Sequence, residues 1–77
     1  MAEGRDEWAD RARRFLKAEL KRAEITYEEL ARRLTAVGIQ ETKGSVTVKV
    51  NRGAYPAWFF FAAMKAIGRE QVNLTDV

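Results

Sequence analysis

Few residues in this chain are able to do chemistry, and the missing types narrow the field first. Its 77 residues include neither histidine nor cysteine. That removes the commonest general base and metal ligand, the thiolate nucleophile, and any disulfide. The carboxylates form no paired constellation and accompany no nucleophile–base set. The glycines of "VGIQETKG" lack the Gly-Lys-Ser/Thr ending of a phosphate loop. The expectation is therefore a non-enzymatic protein without metal, cofactor or small-molecule ligand. What remains is charge. Residues 1–40 carry nine basic and eight acidic groups, close to balance. From Lys43 to Arg69 there are five basic residues (Lys43, Lys49, Arg52, Lys65 and Arg69) and no acidic one. A segment free of carboxylates has nothing to repel phosphate, so nucleic acid is the first partner class to consider. Chance placement of five charges is the competing explanation.

The elements that position these charges read as helices. In the first, about residues 6 to 23, Trp8, Ala12, Phe15, Leu16, Leu20 and Ala23 follow the spacing of one apolar face. Asp6 is the expected N-cap. Arg11, Arg13, Arg14, Lys17, Lys21 and Arg22 lie mostly off that stripe, as a solvated face paired with Glu7, Asp10 and Glu19. The second helix, about 27 to 37, opens on a capping box. Thr26 caps the amide of Glu29, Glu29 reaches back to Thr26, and Ile25 and Leu30 form the hydrophobic staple. Leu30, Ala31, Leu34 and Val37 make its buried stripe, Gly38 stops it, and Ile39 packs back on the last turn.

A further helix begins at "YPAWFFFAAMKAIG", with Pro56 in its first turn and Gly68 at its stop. It is apolar almost all round, which calls for burial on more than one side. With Phe59, Ala63 and Ile67 toward the core, Trp58, Phe61 and Lys65 share another side. Two aromatics together there mark an interface, such as that of a homodimer. The competing expectation is that the long first helix folds over them.

Between these lies "GSVTVKVNRGAYP", residues 44–56, which reads two ways. Val46, Val48 and Val50 alternate with Thr47 and Lys49, the period of a half-buried strand. As a helix from about 43 to 52, capped by Thr42, the same residues put Val46 and Val50 on one face and Val48 nearly opposite. Valine, threonine and Gly44 are weak helix formers. A lone strand, however, leaves its backbone groups without partners, and the only candidate partner is the polar tail "QVNLTDV". Helix is the expected state, with strand as the alternative.

The order of motifs resembles the phage-repressor-like (Cro/XRE-type) helix-turn-helix. The resemblance rests on Leu30-Ala31 within "TYEELARRL", on Val50-Asn51-Arg52-Gly53, and on the proline-led helix ending "AIG". Across about residues 8–68, with "WADRARRFLKAEL" and "NRGAYP" in particular, the chain is also similar to an uncharacterised bacterial family of small domains of unknown function. The helix-turn-helix resemblance implies an all-α, compact four-helix domain, or four helices plus a short C-terminal turn, with a core at about 6–68 and a tail at 69–77. It implies a small DNA-binding transcriptional regulator whose third helix enters the major groove. On DNA it would place Thr42, Lys43, Gly44, Ser45, Thr47, Val48, Lys49 and Arg52. Thr42 and Lys43 would hold phosphate, Thr47 would reach base edges, Val48 would pack on a thymine methyl, and Arg52 would meet guanine or phosphate.

The alternative is a protein-interaction module acting through the aromatic helix at 56–67. Composition suits either reading. With 47% hydrophobic and 32% charged residues the chain is globular, and its net charge is +3. A domain of this size buries only roughly 60% of its unfolded surface, so its core is thin. No apolar run approaches the roughly 18 residues of a membrane span, and "MAEGRDEW" is no signal peptide, so a soluble cytoplasmic protein is expected.

Overall fold

α1 (Ala2–Ala23) is the longest element, and the rest of the chain packs along its C-terminal two-thirds. The computed structural model describes residues 2–77, with side chains from Gly4 onward. α2 (Tyr27–Ala36), α3 (Lys43–Arg52) and α4 (Ala57–Ala66) follow, and a 3₁₀ turn at Leu74–Asp76 closes the chain. The result is a compact all-α bundle of four helices with a short C-terminal turn. Its core joins Phe15, Leu16 and Leu20 of α1, Leu30, Ala31 and Leu34 of α2, Val46 and Val50 of α3, and Phe59, Ala63 and Met64 of α4.

The ambiguous segment is helical, and its ends explain how. Thr42 accepts a hydrogen bond from the Ser45 amide at 3.1 Å, and Ser45 Oγ accepts one from the Thr42 amide at 2.8 Å. This reciprocal box satisfies two amides that a helix start would otherwise leave unpaired. At the other end Gly53 adopts a left-handed conformation, φ 63°, and its amide donates back to Lys49 and Val50. Between the caps, burial of Val46 and Val50 outweighs the weak helix propensity of the valines.

Gly53 also touches α1. A Cβ there would overlap the Ala9 carbonyl and crowd the Arg13 Cβ at 3.2 Å. Two residues on, the Tyr55 hydroxyl donates to the Ala12 carbonyl at 3.1 Å. Its ring lies against Phe59 and stacks on Phe60, and burial pushes the phenol up to about 12. One turn of α1 thus receives the whole α3–α4 corner.

The other three helix ends share one closure. Ile25, Ile39 and Arg69 each donate an amide to the carbonyl five residues back, at 2.9 Å. The residue before each is left-handed: Glu24 at φ 58°, Gly38 at 92° and Gly68 at 82°. In the first two, the apolar residue that follows returns to the core, as such closures favour.

Several expectations are corrected by this geometry. α1 begins at Ala2, so Asp6 lies inside it and is no N-cap. Trp8 is exposed, because α1 meets the body only from Ala9 onward; its indole instead carries the Arg11 guanidinium at 4.7 Å. Ala23 is exposed at the helix end. α2 stops at Ala36, which turns Val37 outward and gives its expected place to Ile39. Thr26 caps the Glu29 amide at 3.0 Å, but the Glu29 carboxylate turns forward to Arg32 and Arg33 instead of closing a box. Pro56 is the N-cap of α4, just before its first turn.

The basic residues of α1 pair as expected with Glu7 and Asp10, through Arg11, Arg13 and Arg14. Glu19 differs. It is buried, and it accepts from Arg22 at 2.8 Å and from Arg69 at 3.1 Å, which draws residues 69–77 back onto α1. Val72 and Val77 pack against the core there.

Two predictions follow from these contacts. Gly53→Ala should cost about 2–5 kcal/mol, since strain and overlap add, and an unchanged urea midpoint would refute the close approach. The Glu29 carboxyl is held down to about 2 by hydrogen bonds from Arg32 first and Arg33 second. A carboxyl depressed on folding stabilises above its unfolded pKa, near 4.5, and that contribution is lost as pH falls toward 2. Glu29→Gln should therefore flatten the fall of Tm with pH across that window; an identical acid limb would show that the pairs contribute nothing.

Candidate functional site

Two surfaces carry the residues singled out by the sequence, and they differ in how much side chain is left free. On α3, three hydroxyls are engaged internally. Thr42 and Ser45 form the cap, Ser45 Oγ also donates to the Glu41 carboxylate at 2.6 Å, and Thr47 Oγ1 donates to the Lys43 carbonyl at 2.6 Å. Lys49 points the same way as Ser45. Its Nζ lies 3.1 Å from Glu41 Oε1 and 5.6 Å from the centre of the Phe59 ring.

Glu41 is the residue that sequence reasoning missed. Its side chain is only 3% exposed, tucked under the N-terminus of α3, where the helix dipole favours a negative charge. It stands two residues before the acid-free segment, so the segment's apparent excess of positive charge is partly cancelled in space. No helical spacing rule announces it, since Glu41 precedes the Thr42 cap and its pairing with Lys49 spans eight residues.

Lys43, Gly44, Val48 and Arg52 remain exposed on α3, and among the described residues Lys43 and Arg52 have no ion-pair partner. Val48 is 52% exposed, on the side opposite Val46 and Val50. The structure therefore brings Gly44, Val48 and Arg52 onto one outward face with Lys43 beside its start. Thr42, Ser45, Thr47 and Lys49 are occupied in holding the helix.

The second surface lies on α4. Phe59, Ala63 and Met64 are buried, while Trp58 is 53% and Phe61 66% exposed. The first helix does not fold over them. With Lys65, they recur at the 3 and 4 spacing of one helix face. Their backs are supported: Trp58 sits edge-on to Phe59 at 6.3 Å and Phe61 edge-on to Phe60 at 6.1 Å. Beside Phe61 runs an open groove of about 320 Å³ lined by Phe60, Phe61, Met64, Lys65, Glu70 and Val72. Among the described residues Lys65 has no ion-pair partner, and α4 carries no carboxylate.

Among the described residues, no group of acidic side chains is placed to hold a metal ion. Among the described residues, no helix is long and apolar enough to cross a membrane.

Fold and surface together define a small α-helical domain with a cluster of aromatic side chains on its surface. Residues 8–72 match the family described as Domain of unknown function (DUF6471), and the chain belongs to that family. No curated protein and no solved structure matches it. The match accords with the resemblance to small domains of unknown function, and nothing in these comparisons points to the phage-repressor type.

The division of α3 into holding and free residues has a measurable consequence. Lys49→Ala should cost about 1–3 kcal/mol, because it strips a nearly buried carboxylate of its cation. Arg52→Ala should stay within about 0.5 kcal/mol. Equal denaturation midpoints for the two variants would return Lys49 to the free surface.

Proposed function

We propose that this domain is a non-enzymatic protein-interaction module whose working surface is the aromatic face of α4. The observation that carries the reading is the exposure of Trp58 and Phe61 on a helix whose other large apolar side chains are packed. Covering a large apolar side chain is worth about 1.5–3 kcal/mol, so two adjacent rings supply a sizeable drive for association. Each ring makes an edge contact with its neighbour, Trp58 with Phe59 and Phe61 with Phe60, which reduces the side-chain freedom a partner must still remove. Aromatic residues are also the types enriched at the centres of protein interfaces.

A second reading is supported by the outward Val48 with the unpaired Lys43 and Arg52: a DNA-binding regulator using α3. In that reading the free polar contacts are fewer, since the hydroxyls of Thr42, Ser45 and Thr47 and the Lys49 ammonium already have partners within the chain. Binding would be mainly electrostatic and would fall steeply with salt.

One experiment separates them. A photo-crosslinking p-benzoylphenylalanine is placed at position 61 in one sample and at position 48 in another, and both are irradiated in living cells. The module reading expects discrete protein adducts from position 61 that survive high salt, and none from position 48. DNA adducts from position 48, with position 61 silent, would overturn it in favour of the regulator.

A further inference from the structure

The stripe Trp58, Phe61, Lys65 has a property that a general sticky patch lacks. Its members lie at i, i+3 and i+7, the spacing of the seam in a pair of packed helices. The spacing is also symmetric about a point just past Phe61. When two such helices run antiparallel about a two-fold axis at that point, Phe61 meets its own copy, and Trp58 lies opposite Lys65 of the other chain. The stripe thus contains both halves of its own complement.

The chemistry of each contact agrees. A lysine ammonium is attracted to an indole face, and among the described residues Lys65 makes no ion pair, although Glu70 lines the same groove. The indole of Trp58 has only the edge of Phe59 as a ring neighbour on this helix, which leaves its surface open. Phe61 lines an open groove together with Phe60, Met64 and Val72. Antiparallel helices additionally place each dipole against the opposite one.

We propose that the occupant of the aromatic face is a second copy of this chain, held as a two-fold dimer through antiparallel α4 helices. The proposal rests on the reading of α4 as the working surface and names its partner. α4 has ten residues and so offers a seam of about 15 Å. An interface that short belongs to the small, transient class, so the dimer forms in the micromolar range and dissociates on dilution.

The chain contains no cysteine, which makes the register directly testable. Trp58→Cys and Lys65→Cys are prepared separately, and each is oxidised alone and then mixed with the other. The inference expects the mixture to form a disulfide-linked pair at least about tenfold faster than either variant alone, because position 58 faces position 65 across the axis and neither faces its own copy. Val48→Cys, on α3, serves as the collision control and should be as slow as the unmixed samples. Sedimentation of the unaltered protein should show a monomer–dimer equilibrium that Phe61→Ser shifts to monomer, with an unchanged circular dichroism spectrum for the variant. A monomer at all concentrations up to millimolar, or a mixture no faster than the Val48→Cys control, overturns the dimer. Adducts from position 61 to a different protein would then leave the module reading standing with another partner, and no adduct at all would remove both.

Discussion

One backbone contact organises the molecule: the end of α3 lies so close to α1 that Gly53 has no room for a side chain against Ala9. The left-handed turn that ends α3 occurs at that same residue, so one glycine both stops the helix and sets its distance from α1. Tyr55 then fixes the corner to Ala12, and its ring directs the chain toward Phe59 and Phe60. The start of α4 is set by this seat, and its end by α2, where Arg33 donates to the Ala66 carbonyl at 2.8 Å. Phe59 and Ala63 turn inward, and Trp58 and Phe61 are left outside as a consequence.

The same seat decides what α3 has to spend on its own stability. A helix of valines, a threonine and a glycine is poorly disposed to form alone, and it is held by caps at both ends and by the column Glu41, Ser45 and Lys49. A cation engaged by a nearly buried carboxylate, above an aromatic ring, is part of the fold's support. The polar groups that make α3 a helix thus already have partners within the chain, whereas the rings of Trp58 and Phe61 on α4 lie exposed.

Much of this was legible in the sequence, because helix periodicity and capping chemistry are local. The 43–52 helix, its Thr42 cap, the inward Val46 and Val50 and the outward Val48 all follow from residues within two turns of one another. So does the stripe of Trp58, Phe61 and Lys65. What was not legible depends on where one element ends against another. Trp8 fits the apolar stripe of α1 but lies beyond the point at which the body begins. Val37 fits the stripe of α2, yet the chain has already turned and Ile39 takes the contact. The pairing of Glu19 with Arg69 spans fifty residues, and no spacing rule joins them. Glu41 misled most, since counting charges along the chain gives Lys49 no partner, whereas the fold places a carboxylate beside it.

The central claim is that the free surface of this domain is α4 and that the binding energy available to it is aromatic. A series of ¹H–¹⁵N correlation spectra recorded on serial dilution reads this residue by residue. The account predicts concentration-dependent shifts confined to Trp58, Phe61, Lys65 and their neighbours around Glu70 and Val72, undiminished by added salt, with the amides of Lys43, Val48 and Arg52 stationary. Shifts that gather on α3 and vanish with salt, while α4 stays still, would contradict it.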